Sequence, residues 1–233
     1  MNPDEIRPRL LAISAHPDDV EFTSGGSLAR WADEGWIIHL IVCTDGSKGS
    51  QSKEDDPQTL AAVRHAEQEE AARALGVRRL IWLGYPDGEL AQASGLLEQL
   101  TRHIRLLRPN RLLVWDAWRP YQLHPDHRAA GLVAMDAVLA ARNPHFFPEQ
   151  LAEGVKPYQM EEAYLYGSDQ SDQVIDITAT FERKMAAIGC HRSQVDNPCD
   201  LAKQMSHCNQ GHGKKNNYTY AEVFKVLRPF CDT

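Results

Sequence analysis

The amino-acid sequence predicts an α/β protein in which helices cover both faces of a mostly parallel sheet. Short apolar runs, typical of buried strands, alternate along the chain with longer amphipathic segments typical of helices. Glycine or proline residues separate many of these segments, as expected at turns. The chain has 233 residues, of which 42% are hydrophobic, so it is long enough for one well-buried domain. We therefore expect a single domain over residues 1–233.

The strands are predicted from apolar runs that end in polar or glycine-containing turns. The run over residues 36–43 is nearly continuous, which is typical of a strand buried on both faces. The predicted strands cover residues 10–14, 36–43, 78–83, 111–115, 162–166 and 173–177. Ligands of such sheets bind beyond the carboxyl ends of the strands. We therefore expect function in the loops that follow the strands at 10–14, 78–83 and 111–115.

The helices are predicted from amphipathic periodicity and from their stop signals. We expect Ser27 to begin the helix that follows the first strand and Gly35 to end it. Gly76 ends a second helix, whose exposed face carries Glu67, Glu69 and Glu70. The predicted helices cover residues 27–35, 58–75, 96–107, 128–142 and 181–188, and residues 209–217 are predicted to be a loop.

Charge and composition exclude several classes of function. A formal net charge of −7 argues against a nucleic acid or an anionic membrane as a partner. The first residues lack the pattern of a signal peptide, and no apolar run is long enough to span a bilayer. The chain has 5 cysteines and no C-x-x-C motif, which indicates free thiols, Cys231 among them, in a reducing compartment. We therefore expect a cytoplasmic protein.

Two His-Pro-Asp segments follow predicted strands and carry the clearest chemical signal. His16-Pro17-Asp18-Asp19 follows the first strand, and His124-Pro125-Asp126-His127 follows the strand at 111–115. The first segment alone would also fit a turn with an N-capping aspartate. If the two strands are neighbours, however, the two loops converge on one point. Imidazole and carboxylate groups are zinc ligands, and a catalytic zinc needs about three of them. We expect His16, Asp19 and His127 to bind the metal and Asp18 and His124 to serve in acid–base chemistry.

The remaining histidines carry weaker signals. His39 lies within a predicted strand and is expected to be a core residue, whereas His65, His103 and His145 are expected on the surface. His191 is a candidate for a supporting position behind the site. A second metal site at His207, Cys208 and His212 is disfavoured because their spacing fits no standard zinc motif.

These motifs are similar to the signature of the LmbE-like, or PIG-L, family of zinc-dependent N-acetylglucosaminyl deacetylases. The resemblance covers nearly the whole chain. It rests on the 15–19 segment with Glu21-Phe22 and Gly25-Gly26, then on residues 44–50, Arg64 with Glu67 and Glu70, residues 83–88, 124–127 and 220–224. It implies a Rossmann-like (LmbE-like) fold and a catalytic Zn²⁺, with Fe²⁺ as the alternative. It also implies hydrolysis of the N-acetyl group of a small N-acetylglucosamine-containing molecule by a water on the zinc, and a homo-oligomer.

The resemblance also assigns roles to individual residues. It implies that Asp18 is the general base and that His124 is a protonated imidazole that stabilises the oxyanion. Asp126 would orient a histidine, and Arg64 and Asp87 would contact sugar hydroxyls. His16, Asp19 and His127 would be the zinc ligands. This chain departs from the family pattern at one position. Some members carry a mobile tyrosine two residues before the first histidine of the second segment, which is His124 here. This chain has Gln122 at that position, and Tyr121 lies one residue further back.

Two other functions remain open from the sequence. One is an amidase of the same family that cleaves a thiol-conjugate amide. The other is a metal-binding or cofactor-binding module without catalysis. Dinucleotide binding is disfavoured because His-Pro-Asp-Asp, and not G-x-G-x-x-G, follows the first strand. The presence of both Asp18 and His124 beside the expected ligands favours an enzyme over a non-catalytic module.

Overall fold

A computed structural model describes residues 7–228 and contains one seven-stranded sheet. The strands are β1 (Arg9–Ser14), β2 (Ile37–Thr44), β3 (Arg79–Tyr85), β4 (Arg111–Trp115), β5 (Glu162–Tyr166), β6 (Gln173–Asp176) and β7 (Ala221–Leu227). Their order in the sheet is β3-β2-β1-β4-β5-β7-β6. Strands β1 to β5 are parallel to one another, whereas β7 pairs antiparallel with β5 and with β6.

Helices cover both faces of the sheet, as predicted. Alternate residues of β1 belong to different clusters: Leu11 and Ile13 pack toward α3 and α4, whereas Leu10 and Ala12 pack toward α1, α2 and α6. The helices are α1 (Asp19–Asp33), α2 (Pro57–Leu75), α3 (Leu96–Leu107), α4 (Pro125–Arg142), α5 (Pro148–Ala152), α6 (Phe181–Ile188) and α7 (Pro198–Gly213), with 3-10 turns at Leu90–Gln92 and Lys214–Asn216.

Most predicted elements are confirmed to within a few residues, but four predictions are wrong. Helix α1 begins at Asp19 and not at Ser27, and α4 begins at Pro125 and not at Arg128, so both polar segments lie at helix N-termini. Residues 209–217 were expected as a loop, yet α7 extends to Gly213. Glu67 is buried and not exposed, because its carboxylate accepts hydrogen bonds from Ser193.

Helix α1 contains two glycines, Gly25 and Gly26, because other parts of the folded chain pack closely against them. A Cβ on Gly26 would lie 2.7 Å from Ile177, and one on Gly25 would lie 3.3 Å from Lys184. The glycines thus let the helix approach the segment that leads into α6 closely. Because glycine weakens a helix by about 1 kcal/mol, the sequence signal for this helix starts only after them.

A buried ion pair joins α6 to strand β7, and its carboxylate also holds α1. Lys184 Nζ donates to Glu222 Oε1 at 2.6 Å, and each residue is 1% exposed. The same carboxylate accepts the backbone N–H groups of Gly26 and Ser27 inside α1. Strand β7, which carries Glu222, therefore tethers α1, the helix that begins at the first polar segment.

The chain order places the sheet's switch point beside β1. Strand β1 pairs with β2 on one side and with β4 on the other, both in parallel. The connections therefore run in opposite directions from β1, which opens a crevice at the carboxyl ends of β1 and β4. The two His-Pro-Asp segments follow these two strands, so the condition for their convergence is met.

Three further expectations concern the cysteines, the bounds of the domain and membrane-spanning segments. Cys43, Cys190, Cys199 and Cys208 are free thiols, as expected, whereas Cys231 lies outside the described residues. The expected single domain over 1–233 likewise extends beyond residues 7–228 at both ends. Within that described part of the chain, every helix is too short or too polar to cross a lipid bilayer.

Candidate metal and catalytic site

The turn after β1 is organised by the carboxylate of Asp19. Its Oδ2 accepts the backbone N–H groups of Ala15 and His16, both at 2.9 Å. These bonds fold the chain back on itself at the first turn of α1, where a negative charge is favourable. Asp18 immediately before it adopts a left-handed backbone conformation with φ 87°. The turn thus presents His16, Asp18 and Asp19 toward the same crevice.

The second segment is held at the N-terminus of α4. Pro125 occupies the first turn of the helix, where its missing N–H costs nothing, and His124 is the N-cap. The Nδ1 atom of His124 accepts the N–H of Asp126 at 3.3 Å. One turn into the helix, the ring of His127 stacks on Trp115 at 4.1 Å between centroids. Trp115 ends β4, so the strand itself orients this imidazole.

The three predicted ligands, His16, Asp19 and His127, lie close to one another. His16 Nδ1 lies 3.2 Å from His127 Nε2, which lies 3.2 Å from Asp19 Oδ1, and His16 Nδ1 lies 3.8 Å from Asp19 Oδ2. Donor atoms around a tetrahedral zinc lie about 3.3 Å from one another, given bond lengths near 2.0–2.1 Å. His124 also lies close, since it forms a candidate cluster with His16 and His127 within 4.8 Å.

The second nitrogen of His16 is held by two carboxylates. Nε2 lies 3.1 Å from Asp87 Oδ1 and 3.2 Å from Asp126 Oδ2. Such carboxylate partners fix the tautomer of a metal-binding histidine and turn its other nitrogen toward the metal. Burial alone would lower the pKa of His16, but Asp126, Asp87 and Asp19 outweigh it and raise the pKa to about 10. The crevice thus favours a positive charge, and a bound cation would replace the proton on Nδ1.

Asp126 is the most constrained of these carboxylates. It is fully buried, and it accepts the backbone N–H groups of Gly88 at 2.7 Å and Leu90 at 3.0 Å in addition to its contact with His16. Asp87 likewise accepts the N–H of Lys48. The alternative cluster His16, Asp87 and Asp126 is therefore better described as a histidine held by two hydrogen-bonded carboxylates than as a second metal site.

The carboxyl of Asp18 has an environment suited to proton transfer. Burial and the neighbouring charge of Asp19 raise the pKa of Asp18 to about 7, against the opposing charge of Arg64. A group with a pKa near neutrality can both accept and return a proton at neutral pH. Its neighbour Asp19 differs, because hydrogen bonds to His127 and the charges of both histidines hold the pKa of Asp19 far below its usual range despite burial. The two adjacent carboxylates thus have different chemical properties.

The surroundings of His124 oppose a positive charge on its ring. Burial and the charges of His16 and His127 lower its pKa. Its Nδ1 also accepts the backbone N–H of Asp126, so the N–H that His124 can offer to the crevice lies on Nε2. The protonated imidazole that the resemblance implies stays a prediction.

Arg64 and Asp87 line the cleft of about 370 Å³ that contains the predicted ligands, but both are already engaged by protein groups. Arg64 is 4% exposed and donates to the carbonyls of Gly46 and Pro17 and, at 3.3 Å, to Asp18 Oδ2. A Cβ on Gly49 would lie 2.2 Å from its guanidinium, so a larger residue there would displace the end of the arginine side chain. The arginine thus has a direct structural contact with Asp18 as well as a position on the cleft wall.

Sequence reasoning missed several residues and left two undecided. Trp115 and Gln68 contact site residues but belong to no short motif, whereas Lys48, which contacts Asp87, lies in the 44–50 segment without having been given a role. Tyr121 is 94% exposed, in a left-handed turn, and His191 is fully buried behind the site next to Glu21. Of these residues, Trp115 alone had a sequence signal for a place in the site, because it is the last residue of the strand that leads to the second segment.

The fold and the site together define a protein with a Rossmann-like sheet and a candidate His/Asp metal centre at the switch point. The chain belongs to the PIG-L family: the family model described as "GlcNAc-PI de-N-acetylase" matches residues 11–138. This confirms the family and the fold class expected from the two His-Pro-Asp segments.

Several relatives of this chain are named as deacetylases of N-acetylglucosamine compounds. The diacetylchitobiose deacetylase of Thermococcus kodakarensis is 33% identical over 94% of this chain and 83% of its own length. The 1D-myo-inositol 2-acetamido-2-deoxy-alpha-D-glucopyranoside deacetylase of a Mycobacterium species is 28% identical over 82% of this chain and 75% of its own. The solved structure of the N,N'-diacetylchitobiose deacetylase from Pyrococcus horikoshii matches with a TM-score of 0.89 and 32% identity, covering 100% of this chain and 91% of that one.

Proposed function

We propose that this protein hydrolyses the N-acetyl group of a small N-acetylglucosamine-containing molecule at a zinc centre. The observation that carries this proposal is the triangle of His16, Asp19 and His127 donor atoms with a proton-accepting carboxyl, Asp18, beside it. Membership of a family of deacetylases supports the reaction class.

The donor set fits a divalent cation of the zinc type. Two imidazole nitrogens and one carboxylate are ligands that zinc accepts, and Fe²⁺ accepts the same set. We assign Asp19 and not His124 as the third ligand because Asp19 lies 3.2 Å from His127 Nε2, whereas one nitrogen of His124 already accepts a backbone N–H. When bound, the ion supplies Lewis acidity, which polarises a carbonyl and lowers the pKa of water.

Asp18 and His124 supply the proton chemistry of amide hydrolysis. In this proposal Asp18 accepts the proton of the attacking water and returns it to the departing amine, which needs a pKa near the working pH. The Nε2–H of His124 donates to the oxygen that gains negative charge. A donor aimed at such an oxygen contributes about 100- to 1,000-fold in rate elsewhere.

The walls of the cleft supply contacts for a sugar. Arg64, Asp87 and Lys48 line it together with the main chain of Gly49 and Gly88, which gives both charged groups and open backbone. We propose that Arg64 and Asp87 contact sugar hydroxyls in addition to the protein groups they hold. Relatives named for activity on diacetylchitobiose and on an inositol-linked sugar support a substrate of the same chemical class.

The proposal is tested by measuring amine release from a panel of compounds. The panel contains free N-acetylglucosamine, diacetylchitobiose, inositol- and malate-linked forms, and a thiol-conjugate amide as the amidase alternative. The metal-loaded protein is expected to release acetate from at least one N-acetyl sugar and to lose activity after chelation. Asp18→Asn should keep its metal and lose about 100-fold or more in kcat. Release only from the thiol conjugate, or full activity without metal, would overturn the proposal.

We also propose that the protein self-associates through the rim of the cleft. The loop before α4 exposes three large apolar side chains: Trp118 at 56%, Tyr121 at 94% and Leu123 at 83%. Exposed apolar patches of this kind mark interaction surfaces. Light scattering should show an oligomer that Leu123→Glu disrupts, and a wild-type monomer would refute this expectation.

A further inference from the structure

We propose that Gln68 on α2 is a positioning residue that aims the carboxylate of Asp18, and that Glu21 and His191 hold Gln68 in place. This inference rests on the proposed function, since it concerns the group assigned there as the general base. It extends the site to a buried network behind the crevice, on the far side of Asp18 from the metal ligands.

The backbone of Asp18 requires support because its conformation is unusual. A non-glycine residue with φ 87° is uncommon and is retained only where the surroundings hold it. No side-chain capping bond stabilises it at the start of α1. Its N–H instead donates to Gln68 Oε1 at 2.9 Å, and Gln68 is fully buried. This hydrogen bond fixes the peptide that sets the direction of the Asp18 side chain.

The amide of Gln68 can serve this purpose in one orientation only. Its Nε2 donates to Glu21 Oε1 at 2.7 Å, and Glu21 is also fully buried. Rotating the amide by a half turn would place its NH₂ group against the N–H of Asp18 and its oxygen against the Glu21 carboxylate. Glu21 therefore determines which end of Gln68 faces Asp18.

His191 is the last residue of this network and lies next to Glu21. Its Nε2 lies 3.7 Å from Glu21 Oε2, and both side chains are completely buried. Within residues 7–228, Glu21 Oε2 and both ring nitrogens of His191 have no hydrogen-bond partner, so the 3.7 Å approach of Nε2 to Glu21 is an electrostatic contact and not a hydrogen bond. The segment that carries His191 is anchored to α2 next door, because Glu67 accepts two hydrogen bonds from Ser193.

This arrangement explains how Asp18 is held without losing its function. On the crevice side its carboxylate contacts Arg64 at 3.3 Å, and it remains partly exposed, with 19% of its side chain accessible. Support through the backbone N–H adds no further donor to the carboxylate, whose Oδ2 already accepts from Arg64. A second side-chain donor would occupy the remaining oxygen. Small displacements of a reacting group cost up to about 100-fold in rate, so the network is expected to affect turnover more than substrate binding.

The test compares Gln68→Met with Gln150→Met as a matched control. Gln150 is also a fully buried, hydrogen-bonded glutamine, but it contacts Arg105 and Glu98 on the opposite face of the sheet. Gln68→Met is expected to lower kcat by about 10- to 100-fold with KM within about 2-fold of wild type and metal content unchanged. Gln150→Met is expected to lower the melting temperature and to leave kcat within about 2-fold.

A double mutant and a conservative variant separate positioning from a general loss of structure. In the Asp18→Asn background, Gln68→Met should change the residual rate by less than about 2-fold, because it acts only through Asp18. Glu21→Gln keeps an acceptor for Gln68 and should therefore retain far more kcat than Glu21→Leu. If Gln68→Met does not fold, the comparison of these two Glu21 variants tests the positioning role in its place.

Three results would overturn the inference: wild-type kcat in Gln68→Met, a full additional loss in the Asp18→Asn background, or equal kcat in the two Glu21 variants. Failure of the proposed function is a separate outcome. It would be seen as absence of amine release by the wild-type protein itself.

Discussion

Replacing Asp126 with asparagine tests how the metal centre is supported with almost no change in shape. Both oxygens of this buried carboxylate act as acceptors: Oδ2 from Gly88 N–H, Oδ1 from Leu90 N–H, and Oδ2 again from His16. Asparagine has one oxygen and one NH₂ group. Whichever way the amide turns, one backbone N–H meets a second donor. The variant therefore cannot satisfy all three partners.

The magnitude follows from these contacts. A buried donor left without its acceptor costs about 1–3 kcal/mol, so the free energy of unfolding of the metal-free protein should fall by about that amount. Loss of a carboxylate that holds a metal-binding histidine typically weakens metal affinity by about 10- to 100-fold. Both effects should appear together, because the same carboxylate supports the 87–90 turn and the His16 ring.

The assay is zinc competition against a chromophoric chelator, with urea unfolding of the metal-free protein alongside. Asp116→Asn is the matched control, since Asp116 is also buried in the loop after β4 but uses one side-chain oxygen, on the N–H of Trp118. Asparagine can keep that bond, so zinc affinity should stay within about 2-fold. Unchanged zinc affinity and stability in Asp126→Asn would refute the reasoning, as would an equal loss in the control.

Three further outcomes are expected from other parts of the molecule. Arg64→Ala should reduce kcat/KM for an N-acetyl sugar about 10-fold more than for a simple acetamide, and equal losses would restrict the arginine to its protein contacts. Lys184→Met leaves the Glu222 carboxylate buried without its counter-ion and should lower the free energy of unfolding by about 3–5 kcal/mol in urea melts; a loss under about 1 kcal/mol would contradict this. Burial and the charge of Arg79 lower the pKa of His39 to about 4, below its ordinary value of 6.5. The unfolded chain therefore binds a proton there first, and stability should fall as pH drops from 6.5 toward 4; His39→Gln should lessen this fall, and an unchanged pH dependence would refute it.

The strands and most helices were predictable because their signals are local. The segments at 96–107, 111–115 and 181–188 agree with the structure because apolar periodicity and stop residues act within a few positions. The helix predicted from Ser27 was too short because Gly25 and Gly26, which locally disfavour a helix, are required by contacts with Ile177 and Lys184. The prediction that Glu67 is exposed was wrong for the same reason. Its hydrogen-bond partner, Ser193, is distant in sequence and so contributes no local signal.

By itself, the sequence determined the fold class and the residue types that gather at the candidate site. Alternating strands and helices require a parallel sheet, and two His-Pro-Asp segments directly after strands bring imidazoles and carboxylates to its edge. Only the tertiary structure decided how these groups differ. The pairing of β1 with β4 brings His16 and His127 to within 3.2 Å, and burial beside Asp19 raises the pKa of Asp18 to about 7. Distances, burial and the hydrogen bonds of Gln68 and Asp126 arise between residues distant in sequence, which is why no local pattern contains them.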